Sequence, residues 1–237
     1  MTDFEFPDAS KLAAWLADPA NAEPCATFPL DAGGVGGPGI YAFHGDAVAS
    51  EVVGLVLHCH VHPLFVDQAG GRSLRTHRAS GATLESAVGR THLRGSTLAS
   101  SFRRSLAAVL WNELELRCEH PKRLDAGSNA RLTAWMLEHL SVATLPFEDR
   151  VTLPLLASDI AHRLDPHLNL VNHPNCEARR RLRKLRARYF TLATADDERI
   201  RRIVDMERLV ALDPEGGDFL RRRLQQELEK LQREWAS

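Results

Sequence analysis

Short β-prone runs occur early and late in the central part of the chain, and helical patterns occupy the sequence between them. Residues 39–43 and 52–66 are β-branched, aromatic and apolar, and the polar turn His44-Gly45-Asp46 separates them. This pattern is typical of an early strand pair. The next such run is 141–145. We expect a third strand there to pair with the first two, in a sheet of three strands surrounded by helices.

Apolar residues recur at helical spacing in five other segments, which predicts five helices. The segments are 7–18, 84–93, 100–116, 132–140 and 153–164. The last helix should pack across the sheet and end before Pro166, because proline disfavours helical geometry in the residue before it. Residues 70–81 and 119–129 lack apolar periodicity, and we predict loops there.

Composition bounds the class of protein more than its function. Hydrophobic residues make up 44% of the 237 residues and charged residues 26%, which is typical of one principal core with extensions. A formal net charge of -1 predicts no polyanion partner by itself, so only local basic clusters would bind one. No apolar run is long enough to span a bilayer and the first seven residues do not form a secretory signal. We therefore predict a cytoplasmic protein with reduced cysteines.

Six short motifs follow one another along residues 38–188. They are Pro38-Gly39-Ile40-Tyr41, residues 64–70, residues 81–84 with His92-Leu93, residues 101–106, residues 135–140 and residues 164–170. Each motif alone is weak, but the series resembles the GIY-YIG nuclease superfamily in its bacterial, restriction-enzyme-like branch. The resemblance implies an α+β fold with a small three-stranded antiparallel sheet flanked by helices, followed here by a helical C-terminal extension.

The resemblance also implies which positions belong to the active site. In the family two tyrosines, a helix arginine and histidine, a metal-binding glutamate and an asparagine share the work of phosphodiester cleavage. Such cleavage needs a nucleophile, stabilisation of charge on the phosphorus and protonation of the leaving oxygen. Tyr41 matches the first tyrosine, His92 the helix histidine and Asn169 the late asparagine.

Four other family positions have changed. Phe65 stands for the second tyrosine and lacks its hydroxyl, and Asp67 replaces a glycine and adds a negative charge. Ala87 falls where the family has its arginine, and Ala157 where it has the metal-binding glutamate. These changes remove a phosphate ligand and an anionic anchor for the cation. We therefore expect hydrolysis to be lost or greatly reduced.

Neighbouring residues offer partial replacements. Arg90 is three residues from Ala87, on nearly the same face of an α-helix, and its long side chain would extend toward a phosphate. Asp67 and His167 are candidate metal ligands that would rebuild a site with His92. If the chain is catalytically active, the cofactor implied is a divalent metal, Mg²⁺ or Mn²⁺.

Three basic segments could converge on a nuclease-like cleft and bind phosphates. They are 72–78, 90–104 and 179–188, and the nucleic-acid-binding residues predicted in them are Arg72, Arg75, Arg103 and Arg104. DNA is the expected partner. For the last segment an equally good interpretation is a solvated helix face paired with the acidic residues 196–198.

The alternating residues His58, His60 and His62 would share one face of a strand. Such a row can bind a transition metal if a further ligand completes the site. The other interpretation is a solvent-facing strand side without metal.

Three function classes remain at this point. The first is a nucleic-acid-binding GIY-YIG nuclease-like protein with lost or reduced hydrolysis, and the second is an active endonuclease that uses Tyr41, His92, Arg90, Asn169 and a relocated carboxylate. The third is a structural or regulatory interaction module that contacts a partner, or a second copy of itself, through the apolar residues of its tail. Those residues are Leu220, Leu224, Leu228 and Leu231. The expected organisation is an N-terminal helix and loop (1–35), the nuclease-like domain (36–188) and a helical tail (189–237).

Overall fold

The computed structural model describes residues 8–28, 36–59, 63–71, 80–171 and 173–192. The α-helices are α1 (Ala9–Ala17), α2 (Ala47–Leu57), α3 (Ser101–Val109), α4 (Ala126–His139), α5 (Leu153–Leu164) and α6 (Glu177–Ala187). The strands are β1 (Glu23–Pro24), β2 (Gly39–Gly45), β3 (Phe65–Ala69), β4 (Cys118–His120), β5 (Arg123–Leu124) and β6 (Leu140–Pro146). A π-helix, Glu85–Leu93, precedes α3 and another, Arg188–Leu192, follows α6. The fold is α+β, as predicted.

The main sheet has the strand order β1-β6-β2-β3, and all its neighbours are antiparallel. The central strand β2 aligns Tyr41 with Asp67 of β3 on one side and with Thr144 of β6 on the other. The late strand therefore pairs with an early one, as the sequence predicts, although it does not contact β3. The short strand β1 makes the sheet four-stranded rather than three-stranded, and β3 is left as an edge.

Gly39 allows β2 to lie close to β6. A Cβ atom at this position would collide with the carbonyl oxygen of Leu145 and with the side chain of Leu84. Only glycine leaves room for such a backbone approach. The glycine of the Pro38-Gly39-Ile40-Tyr41 motif is therefore required for the packing of β2 against β6.

Both faces of the sheet are buried. Tyr41, Phe43 and Phe65 project into a core formed with α2, α3, α4 and the first π-helix. Ile40 and Val66 project to the other face, where α1 and α5 cover them. This confirms the prediction that the helix 153–164 packs across the sheet. Asp165 ends that helix in the left-handed conformation, with φ 46°, directly before Pro166.

The prediction of a strand over 52–66 is wrong for most of that run. Residues Ala47–Leu57 form α2, and the strand begins only at Phe65. Asp46 caps the helix by accepting a hydrogen bond from the backbone N–H of Ala49 at 2.8 Å, which satisfies a free donor of the first turn. The buried stripe of Ala49, Val53 and Leu57 then outweighs the β preference of the valines.

Two further boundaries differ from the predictions. The helix expected over 100–116 ends at Val109. The loop expected over 119–129 contains the hairpin of β4 and β5 and the start of α4. Asp125 begins α4 by accepting a hydrogen bond from the backbone N–H of Ser128 at 2.6 Å. Across the described part of the chain, no helix has the length and apolar character needed to cross a membrane.

Candidate nucleic-acid groove and the buried tyrosine-histidine pair

Two of the predicted catalytic residues meet inside the core. The Tyr41 hydroxyl on β2 is 2.7 Å from Nε2 of His92 on the first π-helix. The other ring nitrogen of His92, Nδ1, is 2.7 Å from Oγ of Ser100. Ser100 also caps α3 by accepting a hydrogen bond from the backbone N–H of Arg103. Both nitrogens of His92 are therefore occupied, whichever tautomer is present.

Aromatic rings enclose this pair. The rings of Phe43, Phe65 and Phe102 each contact His92 edge-on, with centroid distances of 5.6 to 5.8 Å. Tyr41 is 1% exposed and His92 5%. Loss of hydration, with a contribution from the charge of Arg103, lowers the pKa of His92 to about 4. Burial raises the pKa of Tyr41 well above its usual value. Both groups are thus neutral near pH 7 and closed to solvent.

Arg103 is a buried structural residue. Its side chain is fully covered, and Nη1 donates to the backbone oxygens of His92 and Leu93 at 2.9 and 2.8 Å. Nη2 donates to Asn129 and Thr133 on α4. An external phosphate cannot reach this guanidinium, which contradicts the prediction that Arg103 binds nucleic acid.

Asn169 closes part of the free edge of β3. Its Nδ2 donates to the carbonyl oxygen of Val66 at 2.6 Å, and its Oδ1 accepts from the Val66 N–H at 3.1 Å. The side chain thus takes the place of a neighbouring strand for one residue. This arrangement gives Asn169 a structural task that the sequence did not indicate.

A groove of about 380 Å³ runs along this edge, between β3, α5 and residues 168–171 and 173. Its lining mixes apolar side chains with polar groups from five parts of the chain. The residues used below are Phe65, Asp67, Ser101, Ala157, Asn169 and Arg186. Such a concave surface with a few convergent polar groups is the usual form of a binding site.

Asp67 is the carboxylate on the β3 wall of the groove. It faces the same side of β3 as Phe65, two residues earlier. Water still reaches its side chain, but the groove walls displace much of the surrounding solvent. This loss of hydration raises the pKa of Asp67 to about 6, although a hydrogen bond from the Gln68 N–H opposes the change.

The model of the GIY-YIG catalytic domain matches residues 71–188, about half of the chain. The chain belongs to the GIY-YIG superfamily. The match begins just after β3, so it does not include the first two motifs. In the structure these two motifs lie side by side, because Gly39–Tyr41 on β2 pairs with residues 67–69 on β3. No curated protein and no solved structure matches the chain.

Within this GIY-YIG fold, two positions predicted to have lost their functional groups lie on one groove. Phe65 and Ala157 both line it, from β3 and α5 respectively. Asn169, predicted to be retained, lies between them on the β3 edge. Tyr41 and His92 do not line the groove, and the Phe65 ring packs against His92. The predicted site residues are thus neighbours, but only part of the set faces the groove.

Arg90 lies away from the groove. Its side chain is 74% exposed and forms an ion pair with Glu85 at 3.2 Å. In a π-helix the hydrogen bonds join residues five apart, so the turn is wider than in an α-helix. Arg90 therefore lies above Glu85. It does not share a helix face with Ala87, as it would in an α-helix.

The donor groups of the groove do not fit the metal site that the family uses. Mg²⁺ is usually held by one or two carboxylates together with water and phosphate oxygens, and the α5 position offers Ala157 instead. Among the described residues, no three His, Cys, Asp or Glu side chains converge in a way that would hold a metal ion. The predicted set of Asp67, His167 and His92 is not assembled, since both His92 nitrogens are already bonded.

The remaining predicted residues are dispersed. Arg104 is half-buried on α3, next to the groove residue Ser101. His58 ends α2 with φ 55° and is not part of a strand. Arg72, Arg75, His60 and His62 lie outside the described residues. The sequence patterns did not single out Ser100 and Arg186. Ser100 was recognisable as a serine directly before a helical stripe, and Arg186 belongs to the basic run 179–188.

Proposed function

We propose that this chain binds nucleic acid in the groove along the free edge of β3, with phosphodiester hydrolysis lost or greatly reduced. Membership of a nuclease superfamily supports the partner class. DNA is the proposed partner, and Arg104 is better placed than Arg103, the other predicted contact residue that the structure describes. We also propose a cytoplasmic location and the organisation 1–35, 36–188 and 189–237. Self-association through the leucines of the tail, which lie outside the described residues, is an additional proposal.

One observation carries the proposal of reduced hydrolysis. Ala157 forms the groove wall at the position where the resemblance places a metal-binding carboxylate. Without that carboxylate the groove holds no anionic group on α5 to anchor a cation near a bound phosphate. Tyr41 and His92, which would act on the phosphate, are sealed behind Phe65 and bonded to each other. Binding needs neither group.

A plasmid assay tests this proposal. Purified protein is incubated with supercoiled plasmid and Mg²⁺ or Mn²⁺, and its affinity for a labelled DNA duplex is measured over a series of salt concentrations. We expect salt-dependent binding without cutting. Robust cutting that disappears in Tyr41→Phe would overturn the proposal, and absence of DNA and RNA binding would favour the interaction-module class.

Asp67 supports a second candidate function. It places a carboxylate in the same groove as Ala157, on β3 instead of α5, so an active endonuclease would use it as the relocated metal ligand. If this candidate is right, Asp67→Asn abolishes metal-dependent cutting. Under the leading proposal the same variant binds nucleic acid more tightly, because it removes a negative charge that opposes phosphate.

A further inference from the structure

Six arginines with described side chains have a carboxylate partner. Ion pairs join Arg90, Arg123, Arg163, Arg179, Arg180 and Arg181 to acidic residues. Arg104 and Arg186 are among the arginines without an ion pair to a described carboxylate, and Arg186 also feels the charge of Arg104 and lines the groove. Arg104 makes a long hydrogen bond to the backbone oxygen of Leu98, at 3.4 Å, and Arg186 donates to Oγ of Ser105 at 3.2 Å.

The two side chains lie close to each other, and Arg186 lines the groove. Arg186 lines the groove from α6, and its hydrogen bond to Ser105 brings it beside Arg104, the preceding residue of α3. Ser101 also lines the groove. It lies three residues before Arg104, and residues three apart share a helix face. Ser105 in turn donates a hydrogen bond to the backbone oxygen of Leu168 at 3.2 Å, which links this part of α3 to the groove residue Leu168.

This arrangement places two like charges in partly buried positions. Burial and the nearby charge of Arg104 lower the pKa of Arg186 to about 10, and burial lowers the pKa of Arg104. Both guanidinium groups therefore remain charged near pH 7. The Nε atom of Arg104 is buried without a hydrogen-bond partner. A partly buried charge pair of this kind is unfavourable unless an anion offsets it.

We propose that Arg104 and Arg186, with the hydroxyl of Ser101, form a phosphate-binding site that holds one backbone phosphate of a nucleic-acid strand lying in the groove. This inference rests on the proposed function and specifies how the strand is held. Guanidinium groups suit this task, because each presents a planar set of donors to phosphate oxygens. The strand would then pass from Arg186 along β3 toward Asp67.

The test compares charge-removing variants on the full chain. Affinity for a fluorescent single-stranded oligonucleotide is measured for wild type, Arg104→Gln and Arg186→Gln at several KCl concentrations. Lys184→Gln is the matched control, since it removes one charge from an exposed position on the same helix as Arg186. Circular dichroism and thermal unfolding confirm that each variant is folded. Arg186→Lys provides a second variant that keeps the charge.

We expect each glutamine variant at the groove to weaken binding by about fivefold to tenfold at low salt. The slope of log K against log salt should become shallower by about 0.7 for each phosphate that the variant no longer binds. Lys184→Gln and Arg186→Lys should keep the wild-type slope. Wild-type slopes in Arg104→Gln and Arg186→Gln overturn the phosphate site but leave the proposed function intact, whereas failure of the wild type to bind any oligonucleotide overturns both.

Experiments with inorganic phosphate distinguish a site for a phosphate of a nucleic-acid strand from a site for a free phosphate ion. Thermal unfolding is measured in sodium phosphate and in sodium chloride of equal ionic strength. Stabilisation by phosphate that Arg186→Gln abolishes, together with oligonucleotide binding that phosphate competes away, supports the site as proposed. Stabilisation by phosphate in a protein whose oligonucleotide affinity does not respond to phosphate assigns the pair to a free anion and overturns the proposal.

Discussion

His92 shows how burial determines the chemical state of a single residue. Its ring is bonded at both nitrogens and enclosed by aromatic rings. The folded protein therefore holds it neutral, with the pKa lowered to about 4. The unfolded chain exposes an ordinary imidazole with a pKa of about 6.5. Folding and protonation of His92 thus oppose each other between these two values.

We predict an acid-dependent loss of stability that originates at His92. Its contribution is complete above about pH 6.5 and declines as the pH falls toward 4, because the unfolded state binds the proton first. The free energy of unfolding should fall by up to about 3 kcal/mol over this range, measured by urea unfolding at each pH. His92→Gln should flatten this dependence, whereas His120→Gln, at an exposed position, should not. An equal slope in His92→Gln contradicts the prediction.

The raised pKa of Asp67 predicts that nucleic-acid binding becomes tighter as the pH falls, whereas His92 makes the fold less stable. Its pKa is raised to about 6, so the carboxyl becomes increasingly protonated as the pH falls from 7 to 5. Repulsion of phosphate then decreases, and binding should tighten by about threefold to tenfold over this range, which corresponds to about 1 kcal/mol. Asp67→Asn should bind tightly at both pH values. Fluorescence anisotropy measures the affinity, and Glu51→Gln, on the exposed face of α2, is the control for charge removal.

The sequence predicted which residues approach one another better than it predicted what they do. Tyr41 and His92 were both selected from motifs, and they are hydrogen-bonded. Their closure from solvent depends on Phe43 and Phe102, whose packing on His92 no motif specifies. Arg103 was predicted to bind nucleic acid because it belongs to the basic segment 90–104, but a set of carbonyl and side-chain oxygens holds it inside the core.

Strand β3 depends on a side chain from another element. Asn169, in the segment after α5, satisfies both backbone groups of Val66. The rest of the strand pairs only with β2. Stability of the β3 edge, and with it the shape of the groove, therefore depends on one amide group.

We predict that Asn169→Asp destabilises the protein by about 1–3 kcal/mol at pH 7. The substitution replaces the donor Nδ2 with an oxygen that faces the Val66 carbonyl, which leaves a buried acceptor unpaired and adds repulsion. Urea unfolding measures the loss, and hydrogen exchange should show faster exchange at residues 65–69. Asn175→Asp, whose Oδ1 accepts an exposed hydrogen bond from Arg183, is the control. Equal losses in the two variants would contradict this role of Asn169.

Elements with a strong single pattern were predicted well. The β-prone run that becomes β6 and the apolar stripe of α5 agree with their predictions within one residue at most boundaries. The error at α2 has a physical cause, since valine-rich runs fit a strand and a buried helix equally well by hydropathy. Only the cap at Asp46 and the packing of Leu57 decide between them.

At the scale of the molecule, the N-terminal helix is part of the main fold. Leu16 of α1 is fully buried in the core beneath the sheet, together with Ile40 and Ile160. Arg163 of α5 also donates to Oγ of Ser10. Helix α1 therefore covers one face of α5 and of the sheet.

We predict that Leu16→Ala lowers the free energy of unfolding by about 2–5 kcal/mol, as expected for a leucine removed from a packed core. Its neighbour Trp15 is 38% exposed, and Trp15→Ala should cost less despite the larger side chain. Urea unfolding of both variants provides the comparison. If Leu16→Ala lowers the free energy of unfolding by less than Trp15→Ala does, α1 is dispensable for the stability of the sheet.

The groove itself was not predictable from the sequence. Its walls come from β3, α3, α5, α6 and residues 168–171 and 173, and these parts are brought together only by tertiary packing. Motif order indicated that Phe65, Ala157 and Asn169 belong to one region, and the structure agrees. The place of Arg186 depends on the packing of α6 on α3, for which the basic run gave no register.

The amide of Asn169 has one more consequence. An exposed edge strand with free N–H and C=O groups can recruit a strand of another molecule, which leads to aggregation. Because Asn169 already occupies the backbone groups of Val66, a second copy of the chain finds this edge blocked near the start of β3. We expect this single polar side chain to disfavour the addition of a strand there while it leaves the adjacent groove open.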